Sequence, residues 1–134
     1  MVIVAAPEEM PVNETLELVD RLAAETVVDL AAVVANRVLP ELFGRGEEAV
    51  FDKLAADANE ARLSEAVGAS VRPILDGAQL AVTLRRTRGA HLARLREELP
   101  AGTPLLYVPY LFLKHHGLRA TRVVAEALGQ ELGT

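Results

Sequence analysis

The sequence predicts an α/β fold: a partial parallel sheet of about three strands joined by crossover helices, with a long helical excursion before the last strand. Three observations predict it. Residues 2–6, 29–36 and 104–108 are short apolar runs closed by proline or asparagine. Runs that are apolar without strict alternation fit strands of a parallel sheet covered on both faces. Helical periodicity separates the first two runs and follows the third. A parallel pair cannot be joined by a tight hairpin, so this order of elements calls for crossover connections.

Each element has its own signals. Residues 2–6 read as a strand buried on both faces, broken by Pro7-Glu8-Glu9-Met10-Pro11. Asn13 suits a helix N-cap, with Glu14 and Glu17 in the first turn where the helix dipole favours carboxylates. Leu18, Val19 and Leu22 then form an apolar stripe on a helix ending near Ala24. Residues 29–36 form the second strand. The excursion, residues 46–99, is helical and charged, and Pro73 starts or interrupts a helix there because proline lacks the amide donor. From Gly77 on, Leu80, Leu84, Leu92, Leu95 and Leu99 recur at spacings that fit one helical face. Residues 104–108 make the third strand, stopped by Pro109. The last helix spans residues 118–132 with Val123, Val124, Ala127 and Leu128 facing inward. Domain organisation follows: a single domain or fragment, with residues 1–45 and 100–134 as the α/β part and 46–99 as the excursion.

Composition narrows the function. With 51% hydrophobic and 25% charged residues over 134 positions, the chain has a globular balance and enough length for a core. A net charge of −5 speaks against a general nucleic-acid binder, which needs excess Lys and Arg to neutralise phosphates. No cysteine is present, so disulfides and thiolate metal sites are excluded; a reducing cytosol fits this composition. No apolar run reaches the roughly 18–20 residues that span a bilayer. Met1-Val2-Ile3-Val4-Ala5-Ala6 is too short for a signal peptide and lacks a basic flank. A chain that opens inside a strand suggests a piece of a longer protein.

Ligands of parallel α/β sheets bind beyond the carboxyl ends of the strands. Three segments leave such ends: 7–11, 36–40 and 109–117. Asn36 carries a donor and an acceptor, the pair that adenine's amino group and ring nitrogen require; its bland reading is a turn-closing asparagine. Pro109, Tyr110 and Leu111 offer an apolar wall for a flat base, or else a strand end folding into the core. Glu8 and Glu9 reach a ribose or a partner subunit in the functional reading, and are solvated in the plain one. His115-His116 makes a poor metal site, because adjacent side chains diverge and no carboxylate pair completes it. The arginines between Arg85 and Arg96 (Arg85, Arg86, Arg88, Arg94, Arg96) either receive an anion or acidic partner, or form a salt-bridged helix face with neighbouring carboxylates. No Gly-rich loop ending in Lys-Ser or Lys-Thr occurs, so nothing cradles phosphates, and no nucleophile–base set stands out.

Four segments in order resemble the C-terminal part of the ArsA-type ATPases, the arsenite-pump and tail-anchored-protein-targeting branch of the P-loop NTPases. They are Pro7-Glu8-Glu9-Met10-Pro11-Val12-Asn13-Glu14-Thr15, Val33-Val34-Ala35-Asn36-Arg37-Val38-Leu39, the basic stretch 86–99, and Val108-Pro109 with Gly117 eight residues on. The resemblance implies a cytoplasmic ATPase that binds ATP or ADP, with Asn36 reading adenine and Pro109, Tyr110 and Leu111 on the other side of the base. It implies that the phosphate loop, the Mg²⁺ ligands and the catalytic aspartate lie in an N-terminal half absent from this chain, which alone would not hydrolyse ATP. Partners implied are that N-terminal half, a second copy or a paralogous subunit, and membrane-protein cargo. Where the family has Glu-x-x-Gly before the last helix, this sequence has Lys114-His115-His116-Gly117. The competing reading is a non-catalytic α/β module whose excursion helices meet a protein partner.

Overall fold

The computed structural model describes residues 1–44, 46–112 and 117–133. They form β1 (Val2–Ala5), α1 (Glu9–Glu25), β2 (Ala32–Val38), α2 (Glu47–Leu54), α3 (Asp57–Val67), α4 (Arg72–Glu98), β3 (Leu105–Pro109) and α5 (Leu118–Leu132). The strands make one parallel sheet in the order β1-β2-β3. The chain divides into two compact units, residues 1–40 with 87–134 and residues 41–86.

In the first unit the sheet advances one strand at a time in one direction. Right-handed crossovers then put both connecting helices on the same face. The core agrees: Ile3 and Val33 from the sheet, Val12 and Val19 from α1, and Leu95 and Leu99 from the end of α4 form one buried cluster. Burying an aliphatic side chain of this kind contributes about 1.5–3 kcal/mol, so this cluster holds the layer together. The opposite face carries Val34 and Val108, both buried, and α5 packs against β3.

The expectation that the first strand is covered on both faces is overturned. Ile3 and Ala5 are buried, whereas Val2 and Val4 are 54% and 61% exposed. β1 pairs with β2 alone, so it is an edge strand, covered on one face by α1.

Boundaries of three elements also move. The first helix begins at Glu9, with Glu8 at the N-cap, so Asn13 is an internal helical residue whose Oδ1 accepts from Arg94 Nη1. Pro11 is tolerated because first-turn amides have no intrahelical acceptor. The buried Thr15 satisfies its hydroxyl by donating to the Pro11 carbonyl at 2.7 Å. The second strand starts at Ala32 rather than at residue 29 and runs on past Asn36 to Val38, and the third includes Pro109.

In the second unit α2 and α3 precede the first half of α4, where Pro73 occupies the first turn. The leucine stripe expected along the last excursion helix holds only at its end. Leu95 and Leu99 are buried, but Leu80 and Leu84 are exposed, and Val82 is the buried residue of the earlier turns. Phe43 stacks on the buried Phe51 with centroids 5.0 Å apart.

Among the described residues no helix is long and apolar enough to cross a membrane.

Candidate functional site

β2 and β3 keep regular register from Val33↔Leu105 to Ala35↔Tyr107 and then slip, so that Val38 pairs with Pro109. Asn36 and Arg37 fill the slip as a bulge. Such irregularities re-aim side chains at strand ends. Arg37 takes φ of 63°, the left-handed region, the only described non-glycine residue to do so. That conformation costs an L-residue about 1–2 kcal/mol. Two contacts hold it: the Arg37 amide donates to Asn36 Oδ1 at 2.9 Å, and the Tyr110 amide donates to the Val38 carbonyl at 2.8 Å.

The bulge opens onto a cavity of about 410 Å³ at the carboxyl ends of β2 and β3, lined by Asn36, Arg37, Val108, Pro109, Tyr110, Leu111 and Val124. Strand alternation puts Asn36 and Val108 on the α5 side of the sheet, and Val124 is supplied by α5 itself. The Arg37 guanidinium carbon sits 5.5 Å from the centre of the Tyr110 ring, within cation–π reach. Tyr110 also meets Phe112 at 4.8 Å between centroids, tilted by 51°.

Of the residues singled out in the sequence, Asn36, Pro109, Tyr110 and Leu111 share this cavity. Glu8 stands apart from it: its Oε1 accepts from Arg88 Nη2 at 2.9 Å, which directs the carboxylate toward α4. Arg37 and Val124 were not singled out as site residues. No sequence signal marks a left-handed arginine in an apolar strand, and Val124 was legible only as an inward residue of the last helix.

The hydrogen bond to the Arg37 amide fixes which end of the Asn36 side chain is oxygen, since an N–H needs an acceptor. Among the described residues no acceptor takes its Nδ2. The cavity therefore offers an amide donor, a carbonyl with a second lone pair, one cation and several apolar walls. Its described lining contains no carboxylate, imidazole or thiol.

Three of the candidate arginines are engaged by side chains of the chain itself. Arg86 pairs with Glu48 at 2.6 Å, Arg94 with Glu98 at 2.7 Å, and Arg96 Nη2 donates to the Tyr107 hydroxyl at 2.6 Å. The Glu48 and Glu98 hydrogen bonds raise the pKa of Arg86 and Arg94 respectively above the ordinary guanidinium value. His115 and His116 lie outside the described residues. Among the described residues no group of three His, Cys, Asp or Glu comes together around a metal position.

No family model matches the chain, and no curated protein matches it.

Proposed function

We propose that this chain is the purine-reading part of an ArsA-type, P-loop-class ATPase of the cytoplasm, binding the adenine of ATP or ADP. The phosphate grip, the Mg²⁺ site and hydrolysis would come from an N-terminal half outside this sequence. One observation carries the reading: Asn36 and the Pro109–Leu111 wall, distant in sequence, line one cavity at the carboxyl ends of neighbouring parallel strands, the position where such sheets take nucleotides. In this reading Asn36 Nδ2 donates to a ring nitrogen of adenine, and Oδ1 uses its remaining lone pair for the exocyclic amino group. Pro109, Leu111 and Val124 pack against the base, and Arg37 covers the Tyr110 ring beside it. Partners in this reading are the N-terminal half, a second copy or a related subunit, and a membrane-protein cargo.

The test is a titration of the isotope-labelled chain with adenosine and guanosine, followed by NMR. Adenosine is expected to shift the amides of Asn36, Arg37 and Tyr110 in a saturable way, with guanosine weaker. Asn36→Ala should weaken adenosine binding by about 1–3 kcal/mol, the cost of leaving buried hydrogen-bonding groups unmatched. Asn36→Asp keeps the acceptor for Arg37 while replacing the donor by a second, negatively charged acceptor, so it should weaken binding without loosening the bulge. Shifts of equal size with both nucleosides, or none in either, would sink the adenine assignment.

A further inference from the structure

The second unit contains a separate cavity of about 350 Å³ between the segment leading into α2 and the first half of α4. Its walls are apolar at Leu42, Phe43 and Val82, and Arg85, Glu41 and Glu48 supply its charges. Arg85 is the unusual member. Its Nε is buried and has no hydrogen-bond partner among the described residues, although a donor in that state loses the hydration it had and gains nothing in return. Among the described residues its Nη2 meets only Glu41 Oε1, at a long 3.4 Å, and the Glu41 side chain is 76% exposed. Arg86 Nη2, by contrast, donates to Glu48 Oε2 at 2.6 Å. The neighbouring guanidinium is thus satisfied while Arg85 is half-satisfied.

We propose that this cavity binds a small carboxylate on an apolar skeleton, held by the Nε–Nη2 edge of Arg85. A guanidinium presents Nε and one Nη as a parallel pair that matches the two oxygens of a carboxylate. Glu41 reaches the outer nitrogen of that edge alone, from a solvent-exposed position, and so acts as a weak internal competitor. An incoming carboxylate takes its place on Nη2, reaches the sealed Nε only as the exposed Glu41 side chain swings away and uncovers it, and lays its hydrocarbon against Leu42, Phe43 and Val82. Glu48 stays on Arg86 and does not enter the exchange. The ion pair on Arg85 is exchanged, one carboxylate for another; the Glu41 carboxylate is released to solvent and the complex carries one more negative charge. The cavity leaves room for a skeleton of a few carbons to one aromatic ring, since pockets of roughly 300 Å³ and above enclose ligands of that size. The inference is independent of the purine assignment, which concerns the other unit.

The experiment is a calorimetric titration of the full 134-residue chain with 4-methylpentanoate and 3-phenylpropanoate, with 4-methylpentanol as the uncharged control. NMR of the arginine Nε–H resonances runs in parallel. Saturable binding of at least one carboxylate is expected, with one Nε–H signal moving, and the alcohol binding at least tenfold more weakly. Arg85→Met should reduce affinity at least tenfold; a thermal melt of the variant confirms that it is folded. Because Arg85→Met changes a partly buried side chain, Glu41→Gln serves as the second variant on an exposed one. Removing the competitor should tighten carboxylate binding severalfold. The proposal is overturned if no carboxylate saturates, if the alcohol binds equally well, or if Glu41→Gln weakens binding.

Discussion

At the scale of single residues, the strain at Arg37 says most about how the site is made. Its left-handed backbone is held by an Asn36 side chain that turns back to accept the next amide. Glycine adopts that conformation without the steric cost, so Arg37→Gly is expected to leave stability unchanged or raise it by about 0.5–1 kcal/mol. Arg37→Val places a β-branched residue there and should cost about 1–2 kcal/mol or more. Urea unfolding of both variants reads the difference; a destabilised Arg37→Gly would show that the Tyr110 contact outweighs the backbone strain. The same pair of residues marks the limit of sequence reading. Asn36 was legible because an amide at the end of an apolar strand stands out chemically. Arg37 was not, because its role is set by a register slip between two strands, and register is a property of the pair.

Among the elements, helices declared themselves more fully than strand ends did. α5 spans the predicted residues 118–132, helped by glycines on both sides and a clear apolar stripe. α1 began earlier than expected because Asn13 resembles a cap, while the actual start depends on proline being harmless in a first turn. The leucines of α4 taught a different lesson. Equal spacing placed Leu84 and Leu95 on one nominal face, yet Leu84 is 41% exposed and Leu95 1%. A 27-residue helix outruns the cluster it packs on, so periodicity alone cannot say where burial stops. Leu95→Ala should therefore cost about 2–5 kcal/mol, and Leu84→Ala less than about 1 kcal/mol. Chemical denaturation distinguishes them, and similar losses at both positions would mean that the burial difference does not govern stability.

For the molecule as a whole, the parallel direction of the strands was readable from the succession of apolar runs, and with it the convergence of the segments after β2 and β3; the strand order was not. What the order could not give was the exposure of β1. Alternation was masked because every residue of Val2–Ala5 is apolar, so a one-faced strand looked two-faced. The outcome is a border with unpaired backbone groups on one side and Val2 and Val4 facing outward, beside a groove walled by Pro11, Glu14 and Leu18. No lysine or proline guards the strand itself, the usual protection against edge-to-edge pairing. Self-association that grows with concentration is expected in sedimentation runs. Val4→Lys should suppress it without unfolding the chain, since Val4 lies outside the buried cluster; persistence of the oligomer in that variant would place the sticky surface elsewhere.

The bare border also bears on the chain's fate in a cell. Chaperones and proteases sort polypeptides by the greasy backbone they display, and this one displays some while otherwise folded. A partner strand lying alongside Val2–Ala5 is then expected to lengthen its lifetime by covering that border. Abundance becomes a reporter of companionship.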